Sequence, residues 1–156
     1  MNQETKTENF PIRLGDLLYL FSDGYGSVNY NVEITSGDTT VTFEDFPDLS
    51  EEISNYDNCI VTSAHVEDCW LRIYVNDTKY CSESSPVRVG DLLNLFSDSK
   101  GILNFNVELN DFDAIADFEA PVELSKYISR HFDCVCRSCY WEDGYLCILV
   151  RELYEN

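Results

Sequence analysis

Positive charge is scarce in this chain, and the usual signatures of catalysis are missing. Only 10 Lys and Arg stand against 29 Asp and Glu among 156 residues, a net charge of −19. Binding along a nucleic acid needs clustered Lys and Arg, so direct contact with DNA or RNA is not expected. No run reaches the roughly 18 apolar residues that a membrane-spanning helix requires, so no membrane contact is expected. No apolar stretch follows the first residues, which argues against a signal peptide. The 7 cysteines, an odd number, then read as free thiols in a reducing cytosol. The spacings of a P-loop, of GxSxG, of HExxH and of an EF-hand are all absent. Gly24-Tyr25-Gly26 is too short to cradle a nucleotide phosphate.

What is present is a duplication. Residues 11–75 and 86–150 align without a gap at an offset of 75, with 29 of 65 positions identical. PIRLGDLLYLFSDGYGSVNYNVEI at 11–34 and PVRVGDLLNLFSDSKGILNFNVEL at 86–109 carry 15 of those identities. A period this long is the size of a domain, so one small fold unit is used twice. The charge is spread over both copies, with 15 acids and 4 bases in residues 1–80. Hydrophobic residues make up 44% and aromatics 13%, enough to build cores and too much for a disordered chain.

Each copy reads in the same order. Gly-Asp-Leu-Leu-x-Leu-Phe places apolar residues at i, i+1, i+3 and i+4, as in Leu17, Leu18, Leu20 and Phe21, which predicts a short helix with one buried face. Asp16 and Asp91 lie near its start, where a carboxylate is favoured. An alternating strand follows, with Val28, Tyr30, Val32 and Ile34 on one face, and Leu103, Phe105, Val107 and Leu109 in the second copy. A second strand is expected over 39–44 and 114–119, and a second short helix over Leu49–Ile53 and Leu124–Ile128. The last two strands form a hairpin, turning at Glu67-Asp68-Cys69 and at Glu142-Asp143-Gly144. The expected fold class is α+β: a tandem repeat of a helix-strand-strand-helix-strand-strand unit, each copy with a mainly antiparallel four-stranded sheet. The expected layout is a flexible N-terminus at 1–10, units at 11–75 and 86–150, a polar linker at 76–85 and a tail at 151–156. So short a linker brings the two copies into contact, and joining their sheets edge to edge would hide an exposed edge.

Two constellations carry potential chemistry. His131, Cys134, Cys136 and Cys139 have the close spacing of a structural zinc site. In a strand, however, Cys134 and Cys136 face one side and Cys139 the other. The first copy has Tyr56, Cys59, Val61 and Ala64 at those positions, so the unit folds without such ligands, and buried free thiols are the expectation. No metal and no cofactor are expected. A cysteine nucleophile needs a base beside it, and the two histidines, His65 and His131, have Tyr140 and Tyr56 as their counterparts.

The acids remain. Those acidic in both copies are Asp16/Asp91, Asp23/Asp98, Glu33/Glu108, Asp38/Asp113, Glu44/Glu119, Glu67/Glu142 and Asp68/Asp143. Two denser tracts stand out as the partner-binding candidates: Glu44, Asp45, Asp48, Glu51 and Glu52, and Asp111, Asp113, Asp117, Glu119 and Glu123. A solvated face is the plain reading. The sharper one is a carboxylate array that imitates DNA phosphates, with exposed aromatics as anchors.

The block [IV]-R-[LV]-G-D-L-L-x-L-F-S-D, followed by an alternating strand, an acidic helix and a hairpin, resembles small acidic proteins from phages and mobile elements of bacteria. In size, charge and lack of catalytic motifs the chain is similar to phage anti-restriction and anti-CRISPR proteins. That resemblance implies a non-enzymatic, cytoplasmic inhibitor acting in the host bacterium. It would occupy the basic nucleic-acid groove of a defence nuclease, with a CRISPR nuclease complex favoured. It carries over no functional residue. The rival expectation is a tandem-repeat adaptor or dimerisation module, a homodimer included, whose charge only keeps it soluble.

Overall fold

The computed structural model describes residues 11–23, 27–44, 47, 52–81, 83, 85–111 and 113–151, apart from the side chains of 52 and 77–79. The fold is mixed α+β. The first half contains α1 (Leu14–Leu20), β1 (Asn31–Ser36), β2 (Thr39–Phe43), a 3-10 turn (Glu52–Tyr56), β3 (Cys59–Glu67) and β4 (Trp70–Tyr80). The second half contains α2 (Val89–Phe96), β5 (Ile102–Leu103), β6 (Asn106–Asn110), β7 (Ile115–Phe118) and β8 (Val122–Glu123). A π turn (Leu124–Ile128) and a 3-10 turn (Ser129–His131) then lead into β9 (Cys136–Glu142) and β10 (Tyr145–Val150).

Two four-stranded sheets result, ordered β2-β1-β4-β3 and β7-β6-β10-β9. In each the outer pairs are antiparallel and the central pair, β1 with β4 or β6 with β10, is parallel. The long connection between parallel strands carries the short helical turns, as a parallel crossover requires. Both hairpins close on two residues with positive φ: Asp68 (51°) and Cys69 (69°), then Asp143 (53°) and Gly144 (81°). That is the turn whose twist matches paired strands, and glycine suits it best.

Backbone contacts recur at the same offset of 75. The Val61 N–H donates to the Ile12 carbonyl (2.9 Å), and the Cys136 N–H to that of Val87 (2.8 Å). Gly15 N–H donates to the Asp57 carbonyl and Gly90 N–H to that of Phe132, both at 3.0 Å. Arg13 binds Asp16 and the Asn58 amide oxygen, while Arg88 binds Asp91 and Asp133. The two helices cross between the halves: α1 lies against β9 and α2 against β3. Phe21 and Phe96 meet at 6.3 Å between centroids, and the Trp141 N–H donates to the Tyr30 hydroxyl (2.8 Å). Leu14, Leu17, Leu18, Leu71, Leu92, Leu93, Leu103 and Leu146 are fully buried within one continuous core. Burying a leucine contributes roughly 1.5–3 kcal/mol, which makes this shared core the main support of both halves.

Several expectations need correction. The helix expected over Leu49–Ile53 begins outside the described residues, and a 3-10 turn occupies Glu52–Tyr56. At Leu124–Ile128 the backbone forms a π turn. Strand β4 runs to Tyr80, so the strand takes the first half of the expected linker. The two four-stranded sheets do not join edge to edge among the described residues; the contact between the halves runs instead through α1 against β9 and α2 against β3. No helix among the described residues is long and apolar enough to cross a membrane.

Candidate functional site: the outer faces of the two sheets

Alternation decides which side chains leave the core. On β1, Val32 and Ile34 point inward while Asn31, Glu33 and Thr35 point outward. The register then assembles the outer face of the first sheet in rows. One row across the strands is Thr42, Glu33, Arg72 and His65, and the next is Thr40, Thr35, Tyr74 and Ser63. Arg72 forms ion pairs with Glu33 and with Glu67, and its guanidinium sits 5.7 Å from the Trp70 ring centroid. His65 stacks on the Tyr74 ring at 6.1 Å. This face is aromatic, and Arg72 offsets part of its acidic charge.

The second sheet has a different outer face on the same frame. Its corresponding row is Asp117, Glu108, Cys147 and Tyr140. Cys147 stands where the first sheet has Arg72, and Asp117 where it has Thr42. Asp117 and Glu108 therefore oppose each other directly across β7 and β6 with no guanidinium between them. Glu119 and Glu142 extend the charge at the end of the sheet, and both are exposed. None of the outward positions on β6, β7, β9 and β10 holds Lys or Arg; Arg137 leaves the alternation at a bulge. The field of these acids reaches their neighbours. Burial first, then Glu108, pushes the Cys147 thiol up, while the charge of Cys147 and burial push the Tyr140 hydroxyl up.

The candidate acids divide by role. Asp45, Asp48 and Glu51 lie outside the described residues, and Glu52 begins the 3-10 turn. Glu44 is exposed just beyond β2. Asp111 is half-buried, and its carboxylate accepts the N–H groups of Asp113 (2.9 Å) and Ala114 (2.8 Å), so it shapes a turn. Asp113, Asp117, Glu119 and Glu123 are exposed. Asp117 and Glu119 also border a recess of about 280 Å³ with Tyr127, whose ring is 45% exposed. Several acids common to both halves are structural. Asp16 and Asp91 pair with Arg13 and Arg88 in the first helical turn. The Asp98 carboxylate accepts the N–H groups of Lys100 and Ile102, which hold its pKa below the usual carboxylate range.

The cysteines depart from the expected parity. Cys136 and Cys139 are both buried on the inner side, because Arg137 is an extra residue between Ser138, paired to Leu149, and Cys136, paired to Val150. Such a bulge reverses the alternation. The first sheet has a bulge at Thr62, the equivalent position, and a further register shift between Cys59 and Ile60. Burial pushes the Cys139 thiol well up, with the Cys136 thiol beside it adding to the shift, which keeps it a neutral, unreactive group. Among the described residues no group of three or more His, Cys, Asp or Glu is arranged to hold a metal ion. His65 is exposed on the first sheet's face, and His131 is buried against Phe118.

Nothing in the sequence marked the contrast between the two outer faces except the exchange of Arg72 for Cys147 and of Thr42 for Asp117 at the 75-residue offset. No protein-family model, no curated protein and no solved structure matches the chain.

Proposed function

We propose that the protein is a non-enzymatic acidic inhibitor that docks the outer face of its second sheet into the basic nucleic-acid groove of a partner protein. The observation that carries this reading is the unneutralised row of Asp117 and Glu108, flanked by Glu119 and Glu142. Acids two apart on a strand lie about 6.6 Å apart, and neighbouring strands about 4.8 Å apart. That density suits a groove shaped to take DNA, whose duplex carries a charge about every 1.7 Å of axis. Tyr127 supplies an aromatic anchor beside the carboxylates. A defence nuclease in the bacterial cytosol is the partner class proposed, and a guide-loaded CRISPR nuclease the favoured member, since it reads short duplex motifs with arginines. We further propose that 11–75 and 86–150 are two copies of one structural unit, supported by the common strand order and the recurring bulge. The test is competition: protein added to a panel of guide-loaded nucleases should block DNA binding and cleavage, with inhibition weakening steeply as salt rises. Inhibition that is insensitive to salt contradicts the charge-based reading.

The first sheet favours a second reading. Its aromatic, less acidic face of Trp70, Tyr74 and His65 suits a contact of lower charge, as an adaptor or dimerisation module would use. If that face carries the function, neutralising the acids of the second sheet leaves partner binding unchanged.

A further inference from the structure

The strands at the outer edges of the two sheets are β2, β3, β7 and β9, and they are not equally guarded. An unpaired strand edge is a template for pairing with another chain, and bulges, charges or covering segments usually blunt it. β3 and β9 are covered in part by the entry segments, through the Arg13–Ile60 and Arg88–Val135 bridges, and both carry a bulge. β7 carries Asp117. β2, Thr-Thr-Val-Thr-Phe, has no charge, no proline and no bulge, and holds only residues that favour strands. Thr42 stands in it where β7 has Asp117. The β1–β2 hairpin turns on Gly37 and Asp38, with Gly37 at a φ of 60°, and closes on the Ser36–Thr39 pair. Such a turn closes on a hydrogen-bonded pair, and bonded and non-bonded pairs alternate along an antiparallel ladder. The backbone N–H and C=O groups of Thr40 and Thr42 therefore point away from β1, to a side where no strand pairs with β2 among the described residues.

We propose that the free edge of β2 takes up an extended segment of a partner protein as an additional antiparallel strand, with apolar residues at alternate positions and Lys or Arg at its ends. Backbone bonds to Thr40 and Thr42 supply the affinity, and the alternate side chains the specificity, as strand addition does elsewhere. The register places Val41 and Phe43 with Ile34 and Val32 on the inner face, yet both stay only half-buried at the edge. Phe43 meets Tyr56 at 6.3 Å between ring centroids, and a recess of about 400 Å³ borders Val41, Phe43 and Tyr56. Apolar side chains of an added strand fall beside these residues and complete their burial. The ends of the edge select the charge of the segment. Asp38 and Glu44 are exposed on either side of β2, in a chain of net −19. Two copies paired antiparallel about Val41 would set Asp38 of each against Glu44 of the other, which disfavours a homodimer through this edge. A segment with cations at those places is attracted instead. This edge belongs to the first sheet and is independent of the acidic outer face of the second.

The peptide Lys-Val-Thr-Val-Thr-Val-Lys, acetylated and amidated at its ends and titrated into the full chain by calorimetry, tests the proposal. In the register that sets its lysines opposite Glu44 and Asp38, its threonines pair with Thr42 and Thr40. One peptide should bind per chain. N-methylation of both threonines keeps every side chain but removes the ladder amides, and Glu in place of both lysines reverses the charge of the ends; each peptide should bind at least tenfold more weakly. Thr42→Pro removes an N–H that the ladder with β1 does not use, so the fold should persist, as a thermal melt would verify, while peptide binding falls at least tenfold. Absence of saturable binding at millimolar peptide overturns the proposal. So does equal binding of the N-methylated or the Glu peptide, or equal binding to Thr42→Pro. A chain that sediments as a dimer and becomes monomeric with Thr42→Pro would assign the edge to a second copy and overturn the proposal as well.

Discussion

The two sheets share strand order, the register of their paired strands and one bulge position, yet the centre of the outer row is Arg72 in one and the buried Cys147 in the other. The comparison separates what the frame demands from what the surface is free to vary. The Arg13–Asp16 and Arg88–Asp91 pairs, the Ile12 and Val87 backbone bonds and the hairpin turns recur because the frame needs them. Arg72 sits among the carboxylates of its face and pairs with Glu33, whereas the buried Cys147 leaves Glu108 and Asp117 with no cation in their row. A face of like charges weakens its own sheet, and the docking role proposed for it would account for that cost.

The largest expected effect lies in the frame. A Cβ on Gly90 would collide with the Phe132 ring, whereas one on Gly15 would come within 3.0 Å of the Asp57 side chain, which lies partly in solvent. Gly90→Ala should therefore cost about 3 kcal/mol, and Gly15→Ala less than about 1 kcal/mol, in urea unfolding. Equal costs would mean that the halves are packed more alike than described. Next comes Cys147→Arg, which places on the second sheet the charge that the first already carries. It should lower partner affinity at least tenfold, while Arg72→Cys leaves that affinity unchanged.

Acid stability should separate the halves as well. Burial, with the Arg130 charge adding to it, lowers the pKa of His131, and its Nδ1 has no hydrogen-bond partner. The folded state then binds fewer protons than the unfolded one. The stability is intact above the unfolded value of about 6.5 and falls as pH drops below it toward the folded value. His131→Tyr, matching Tyr56 of the first half, should flatten that loss between pH 7.5 and 5.5 in thermal melts; an unchanged acid limb would exonerate the histidine. The smallest effect is at the hairpins. Cys69 holds φ at 69° where the second half has Gly144. Cys69→Gly should raise stability by about 0.5–1 kcal/mol, and Gly144→Cys should lower it by a similar amount.

Much of the frame was legible because alternation and the duplicated block are strong local signals. Val32, Ile34, Val107 and Leu109 are buried as their spacing predicts, and Asp-Gly turned where expected. The bulges at Thr62 and Arg137 are not legible, since one inserted residue leaves the surrounding pattern looking regular, and so strand parity puts Cys136 and Cys139 on opposite faces. The parallel pairing of β1 with β4 depends on long-range geometry that no short motif encodes. Density along the chain singles out the two acid tracts. The structure ranks them by register instead, bringing in Glu108 and Glu142, which lie outside both tracts, and assigning Asp111 to a turn.

The most direct test of the account compares two neutralised proteins against the same panel of guide-loaded nucleases. One carries Glu108→Gln, Asp117→Asn, Glu119→Gln and Glu142→Gln; the other carries Glu33→Gln, Glu44→Gln and Glu67→Gln. The account predicts that the first loses nuclease binding and inhibition while the second keeps both. Equal behaviour of the two, or loss only in the second, would contradict the assignment of the docking surface to the second sheet.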